Sequence, residues 1–312
     1  MEKISLDVLE KKFKEQNYIT GDNVLYAVYT AICLEKPLLV DGPAGVGKTE
    51  LAKTLSKILD AKLIRLQCYE GIDASKALYE VDYAKKLQRQ VLFQGVAQGD
   101  ISRIMNGRGF SEVAAELENE IGLNGKEYII ERPVYEAINP DNKYKKVLLI
   151  DEIDKADMEV ENMLLEPLSD YSMSIPELGT ISCDLDNKPF FVLTSNNQRE
   201  ISEPLRRRCV YLYIDYPTIA TEMEILISKA NVSEEFAKDV ATLVSKIRSN
   251  LDLRQNPSIA ESIEWANVLF NHLGVESITK KFLNEIKLSL SALSKNNKDL
   301  DKISNYLDSQ VQ

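Results

Sequence analysis

Between an apolar run, Pro37 to Val40, and a helical run, Glu50 to Leu59, the chain reads Gly42-Pro43-Ala44-Gly45-Val46-Gly47-Lys48-Thr49. This fits G-x-x-x-x-G-K-[ST], a pattern in which each part acts on a phosphate. The glycines let the backbone fold around phosphate oxygens, amide N–H groups turn inward, and the following helix presents the positive end of its dipole. In such a loop Lys48 reaches the β- and γ-phosphates of a nucleoside triphosphate and Thr49 holds Mg²⁺. A glycine-rich turn with a surface lysine could share these letters, but it would not also have a strand before it and a helix after.

A second motif, Val147-Leu148-Leu149-Ile150-Asp151-Glu152, delivers two carboxylates to the C-terminal end of a buried strand, the edge at which ligands of such sheets bind. Asp151 would coordinate Mg²⁺ through water, and Glu152 would polarise the water that attacks the γ-phosphate. Alone, this would read as a solvated acidic turn; beside a phosphate loop it reads as hydrolytic chemistry. Asp154 and Lys155 follow without an assigned role. A third strand, Phe190 to Thr194, ends in Ser195-Asn196-Asn197, which places Asn196 to orient the attacking water, although Asn-rich turns are common after core strands. Fourth, Arg206-Arg207-Arg208 end a short helix just before a strand. Guanidinium groups suit charge developing on a transferring phosphoryl group and can be supplied by a neighbouring subunit; the alternative is a solvated charge run.

These groups need a scaffold. Apolar spacing predicts two helices over residues 5–34, then strands at Pro37 to Val40, Lys62 to Gln67, Val147 to Ile150, Phe190 to Thr194 and Val210 to Ile214. Alternation of this kind predicts an α/β sheet with helices on both faces. Residues 73–140 are long for a connection and read as an inserted helical element with glycines at 95, 99, 107, 109, 122 and 125. After Tyr216-Pro217 the pattern is helical: Thr218 to Ala230, Ser233 to Arg248, Pro257 to His272, and Ile278 onward, with Pro257 placed to start its helix.

A chain of 312 residues accommodates one large and one small domain, and 44% hydrophobic content is ordinary for a soluble globular protein. The net charge of −11 opposes tight nonspecific binding to nucleic acid or anionic membranes. Cys33, Cys68, Cys183 and Cys209 lack paired spacing and are read as reduced, buried thiols; Trp265 and the lone His272 are read as packed in the helical part. The charged N-terminus and the lack of an apolar run of about 18 residues give the expectation of a cytoplasmic protein with no membrane span.

The order of these pieces resembles the AAA+ ATPases, and the residues around them are similar to the MoxR group in its CoxD-like branch. The likeness rests on Arg65-Leu66-Gln67-Cys68-Tyr69-Glu70-Gly71, Asp151 to Asp157, Leu168-Ser169-Asp170, Ile175-Pro176-Glu177-Leu178-Gly179-Thr180, Leu205 to Pro217, and Asn256 to Glu261 with Trp265-Ala266. It implies an αβα P-loop ATPase core over residues 1–216, followed by a small all-helical lid over 217–312. ATP is the implied nucleotide, bound between subunits of a hexameric ring. Matched motif to motif, Asn196 is similar to the sensor-1 polar residue, and Arg207 or Arg208 to an arginine finger acting in trans. Residues 171–189 resemble a hairpin inserted before the sensor-1 strand, and part of 73–140 resembles the insert in the second core helix; in related machines both face the pore or the partner. One departure is Ser258, which follows Pro257 where the group often carries a phosphate-sensing arginine. Arg254, three residues before Pro257, is the nearby substitute.

The resemblance implies a chaperone-like ATPase that remodels or activates another protein, with a von Willebrand factor A domain partner and a metal-cofactor enzyme, such as a molybdenum-containing dehydrogenase, as client. The alternative class is a DNA-linked AAA+ motor or loader. The acidic charge and the lack of a basic, aromatic-interleaved stretch oppose it. A small-molecule phosphotransferase is a weaker reading, because the Glu152 position, the arginine cluster and the helical lid favour water as acceptor, and so is a nucleotide switch without turnover, because every expected hydrolytic residue except the second sensor is present.

Overall fold

The computed structural model describes residues 4–91, 125–176 and 178–310. Gly95, Gly99, Gly107, Gly109 and Gly122 of the expected insert, and Glu177 of the Ile175 to Thr180 string, lie outside the described residues. The strands are β1 (Leu38–Asp41), β2 (Lys62–Gln67), β3 (Tyr79–Val81), β4 (Ile129–Glu131), β5 (Lys146–Asp151), β6 (Ser172–Ile175), β7 (Gly179–Ser182), β8 (Phe190–Ser195) and β9 (Val210–Tyr213). Five of them form a parallel sheet in the order β2-β5-β8-β1-β9.

The sequence requires a covered sheet. β5 and β8 are buried at every position and read as near-continuous apolar runs, as strands with helices on both faces must. Side-chain alternation divides their residues between two cores. Leu38, Val40, Val147, Leu149 and Val192 meet Leu9, Phe13, Val28, Leu51 and Leu55 from three helices, Leu6–Glu15, Asp22–Leu34 and Lys48–Ile58. Leu39, Leu148, Ile150, Phe191 and Leu193 meet Val134, Ile138, Val160, Leu164 and Leu205 on the opposite face.

All five predicted sheet strands are present, and the differences at their ends have a physical reason. The apolar runs stop before Asp41, Asp151 and Ser195, whereas the ladders include these polar residues. The segment read as an inserted helical element contains the helical residues 83–91 and also a short antiparallel pair, β3 with β4. At three residues each, those strands are too short for alternation to show. The helix Pro133–Ile138 from the same segment is a core element of the sheet face. Ahead of β8, β6 and β7 form a second antiparallel pair.

From Ile219 to Gln310 the regular elements are all helices, joined by turns, and they enclose a third apolar core around Phe236, Val240, Val244, Trp265, Leu293 and Leu307. The stretch from Ile278, expected to be helical, forms the short helices Lys280–Phe282, Leu283–Leu288 and Leu290–Leu293 and the longer Asn297–Gln310. Pro257 does not open its helix. Ser258 caps the helix Ile259–Asn267 through a reciprocal box with Glu261, which leaves the Pro257 carbonyl to accept a hydrogen bond from Arg248 Nε at 2.8 Å. Trp265 is fully buried and donates to Ser289 Oγ, but His272 is exposed. All four cysteines are free thiols; Cys68 and Cys183 are buried, Cys209 is half-buried and Cys33 is exposed, contrary to the expectation that all are buried. Burial pushes the Cys68 and Cys209 thiols up to about 12. Among the described residues no helix is long and apolar enough to cross a membrane.

Arg248 organises this helical part. Its guanidinium makes a bidentate pair with Glu222 at 2.6 and 2.9 Å, with the two side chains 6% and 0% exposed. It also lies 4.6 Å from the ring centroid of Tyr216 and donates to Ser262 Oγ. The helix it anchors meets the glycine loop directly: Ile259 N–H donates to Gly45 O at 3.2 Å. Gly45 has φ +77°, and a Cβ there would fall 2.1 Å from Ser258 Cβ.

Both contacts can be tested through stability. Glu222→Ala leaves Arg248 charged, buried and unpaired, and should lower unfolding free energy by about 3–5 kcal/mol in urea titration. Gly45→Ala adds a steric clash to an unfavourable backbone angle and should cost more than Gly47→Ala, whose φ is +96° but whose added Cβ meets nothing within 4 Å. Equal losses in the two glycine variants would show that contact with Ser258 contributes nothing.

Candidate functional site

The C-terminal ends of β1, β5 and β8 lie side by side, where the chain crosses over in an open parallel sheet. β1 ends at Asp41, whose Oδ1 accepts from Gly42 N at 2.9 Å and from Ser195 Oγ at 3.1 Å, fixing the start of the loop against β8. Gly42 has φ +146° and passes so close to Ile214 that a Cβ would lie 1.9 Å from its carbonyl oxygen. Only glycine fits there.

The loop leads through Gly47 into the helix Lys48–Ile58. Lys48 is 6% exposed, and its ammonium donates to the Gly42 and Pro43 carbonyls at 2.6 Å each. Burial lowers its pKa, opposed by the carboxylates of Asp41, Asp154, Asp151 and Glu152. Val46 is buried beneath the loop.

Thr49 Oγ1 stands 3.1 Å from Asp151 Oδ1. The same carboxylate accepts from Thr194 Oγ1 at 2.5 Å and from Arg65 Nη2 at 2.6 Å. Next to it, Glu152 takes a left-handed backbone conformation, φ +57°, and its N–H donates to Thr194 Oγ1. This conformation turns the side chain away from the strand direction and into a set of donors: Asn196 Nδ2 at 3.1 Å from Oε1, with Gln67 Nε2 at 2.9 Å and Lys155 Nζ at 2.7 Å from Oε2. Contact with Glu152 raises the Lys155 pKa.

Part of this constellation lines a cavity of 560 Å³. Loop residues 44–49, Asp151, Glu152, Thr194, Asn196 and Arg65 form one wall, Gln16 to Ile19 a second, and Ile225, Lys229, Ile259, Ala260 and Ile263 from the helical part a third. The residues fit a magnesium-bound nucleotide. The glycine loop is a backbone cradle that added side chains would fill or strain, its lysine is buried, and a hydroxyl and a carboxylate stand close enough to share one hard cation.

The structure thus brings together Gly42 to Thr49, Asp151, Glu152 and Asn196. It keeps the arginines apart from them. Arg206, Arg207 and Arg208 do not line the cavity; Arg207 pairs with Glu203, Arg208 Nε donates to Ser169 Oγ, and Arg206 lies 3.6 Å from Glu200 and over the Tyr211 ring. Arg254 is exposed and outside the cavity, with its backbone N–H bonded to Asp299. It is not placed to act as the phosphate sensor that the MoxR resemblance implied for it. Sequence reasoning gave no role to Arg65, Gln67, Lys155, Lys229 or the Gln16 to Ile19 turn. A signal existed on β2, where Arg65 and Gln67 alternate with buried Ile64 and Leu66 at the end beside Asp151.

The chain is similar to uncharacterized proteins of Staphylococcus aureus. Those of strains USA300 and NCTC 8325 are each 23% identical over 261 residues, covering 76% of this chain and 84% of the relative. Among solved structures it is similar to RuvB of Thermotoga maritima, described as a Holliday junction branch migration motor. That structure gives a TM-score of 0.41 at 17% identity, covering 97% of this chain and 70% of that one. A point mutant of the same protein gives 0.43 at 18%, covering 98% and 71%. TM-scores below 0.5 give no ground for assigning a function. A family model, the AAA domain of the dynein-related subfamily, matches residues 37–209, from the first strand through the arginine helix. With more than half of its length so matched, and with the phosphate loop on a parallel sheet, the chain belongs to the AAA+ ATPases, in the dynein-related AAA domain family.

Proposed function

We propose that this chain is a MoxR-type, Mg²⁺-dependent ATPase that couples ATP hydrolysis to remodelling or activating a partner protein. The observation that carries the catalytic part is the contact between Glu152 Oε1 and Asn196 Nδ2, 3.1 Å apart on the rim of the phosphate-loop cavity. A carboxylate base beside a water-orienting amide suits hydrolysis. Lys48 and the loop amides bind the β- and γ-phosphates, and Thr49 and Asp151 hold the metal. Mg²⁺, when bound, offsets phosphate charge and sets the orientation of the chain of phosphates. Glu152 takes the proton of the attacking water, and Asn196 fixes that water's position. Residues 1–216 act as the nucleotide-binding core and residues 217–312 as its lid, which reaches the loop through Gly45 and Ile259.

Assembly is the second part of this reading. Arg207 and Arg208 lie away from this chain's own cavity, which supports their supply in trans to a neighbouring copy of a hexameric ring. The β6–β7 pair and part of the segment between residues 73 and 140, outside the core helix Pro133–Ile138, are assigned to the partner, a von Willebrand factor A domain protein and, through it, a metalloenzyme under maturation in the cytoplasm. That assignment rests on the MoxR-like strings, and the net charge of −11 supports a protein client over a nucleic acid.

Lys48→Ala should lose nucleotide binding in a fluorescent-nucleotide titration, whereas Glu152→Gln should bind ATP normally and lower kcat by about 10²–10⁴-fold. Turnover per subunit should rise with protein concentration, and Arg208→Ala should abolish turnover while ATP binding persists. Concentration-independent turnover would count against the ring. Mass spectrometry of proteins retained by Glu152→Gln in ATP and Mg²⁺, with Lys48→Ala as control, tests the client. A von Willebrand factor A protein is the expected result; enrichment of DNA-processing proteins, with stimulation by duplex DNA at physiological salt, would replace this reading by a DNA-linked motor.

A further inference from the structure

Asp154 and Lys155 have no role in the mechanism above, yet each touches one of its two central residues, Asp154 the Asn196 backbone and Lys155 the Glu152 carboxylate. The left-handed turn at Glu152 and the short 3₁₀ turn Ile153–Lys155 fold the chain back on itself. Lys155 therefore returns to Glu152, and Asp154 is buried at 4% exposure, facing the residues that follow β8.

The three donors to Glu152 are unevenly shared. Oε2 accepts from both Lys155 Nζ, at 2.7 Å, and Gln67 Nε2, at 2.9 Å, while among the described residues Oε1 accepts from Asn196 Nδ2 alone, at 3.1 Å. An ionised carboxylate has about four acceptor sites. Two donors occupy Oε2, so the remaining capacity for a water proton lies on Oε1, next to the Asn196 amide. Of the two Oε2 donors, Lys155 is the charged one, and a charge-assisted bond is the stronger constraint.

Asp154 constrains the other half. Its Oδ2 accepts from the backbone N–H of Asn196 and of Gln198, each at 3.1 Å, around Asn197, which has φ +58°. Its Oδ1 is buried with no hydrogen-bond partner among the described residues. A carboxylate kept in that setting, when a neutral side chain could fill the space without an unsatisfied oxygen, points to a function in the bonds it does make.

Resting on the ATPase reading, we propose that Asp154 and Lys155 are positioning residues for hydrolysis. Lys155 turns Glu152 so that Oε1 faces the attacking water, and Asp154 holds the Asn196 backbone so that its amide meets that oxygen.

The test is steady-state ATP hydrolysis by the full chain, with nucleotide affinity and thermal melting measured on each variant. Lys155→Met should lower kcat about 10- to 100-fold, with KM and ATP affinity within about twofold of wild type, and Lys155→Arg should restore most of the loss. Asp154→Ala should lower kcat in the wild-type background but add nothing in an Asn196→Ala background, because it acts through that residue. This second cycle does not depend on whether the Lys155 variants fold. Wild-type or raised kcat in Lys155→Met, no rescue by arginine, or an independent additive loss from Asp154→Ala would overturn the inference. A wild-type protein with no ATP turnover defeats the ATPase reading and this inference with it. A wild type that turns over, matched by Lys155→Met, defeats this inference alone.

Discussion

The site depends on how one buried carboxylate is satisfied. Asp151 is 3% exposed, and a charge in that position is tolerated only with donors on every side. It draws them from Thr49 on the helix after the loop, Thr194 on β8 and Arg65 on β2. The strand order makes this possible, since β2 and β8 flank β5, with Gln67 level with Asp151 and Leu193 level with Ile150. A slip of one residue in either neighbour would turn its donor to the other face of the sheet. The same constraint thus fixes register, places the loop helix against the acidic strand, and sets the backbone from which Glu152 turns.

A second buried charge does for the helical part what Asp151 does for the sheet. Arg248 ties the helix Ile219–Ala230 through Glu222, the segment before Ile259 through the Pro257 carbonyl, and the linker through the Tyr216 ring. Burying an ion pair gains little net stability compared with an apolar substitute, but a pair held by several directed hydrogen bonds admits few alternative geometries. The consequence is felt at the loop, because the helix start held by Arg248 meets Gly45 by backbone contact. The helical part and the phosphate cradle are therefore in direct backbone contact, without a charged side chain between them.

The sheet was legible because its strands are buried on both faces and stand out as apolar runs between polar segments. The phosphate loop and Asp151-Glu152 were legible because their chemistry is local, a few residues at fixed spacing. What sequence reasoning missed depends on which strands pair and on how the backbone turns. Gln67 and Lys155 reach Glu152 from a neighbouring strand and from a backward turn, and neither pairing leaves a periodic signature. β3 and β4 escaped because three residues cannot display alternation, and the breaks between the last helices escaped because apolar spacing continues across Ser289 and Ser294. Pro257 misled for a definable reason: a proline near a helix start marks the first turn only when no better cap follows, and Ser258 with Glu261 is a better cap.

The charges already present in the cavity bear on how hydrolysis would be driven. Lys48 is bonded to two carbonyls of its own loop, and Arg65 is paired with Asp151. These two of the cavity's cations are thus committed to holding the site in shape, while Glu152 adds a negative charge beside the place where more would develop. Ser258, which stands where the MoxR resemblance implies an arginine, supplies a capping hydroxyl, and Arg254 is exposed. Among the described residues that line the cavity, the one guanidinium is therefore the one already bound to Asp151. Within the proposed ring, the arginines of the helix Glu203–Arg208 can supply another only from a second copy, since none lines the cavity of its own chain. On that reading the missing lid arginine and the external arginines are one arrangement: the subunit organises the water and the metal, and assembly supplies the charge that completes the site.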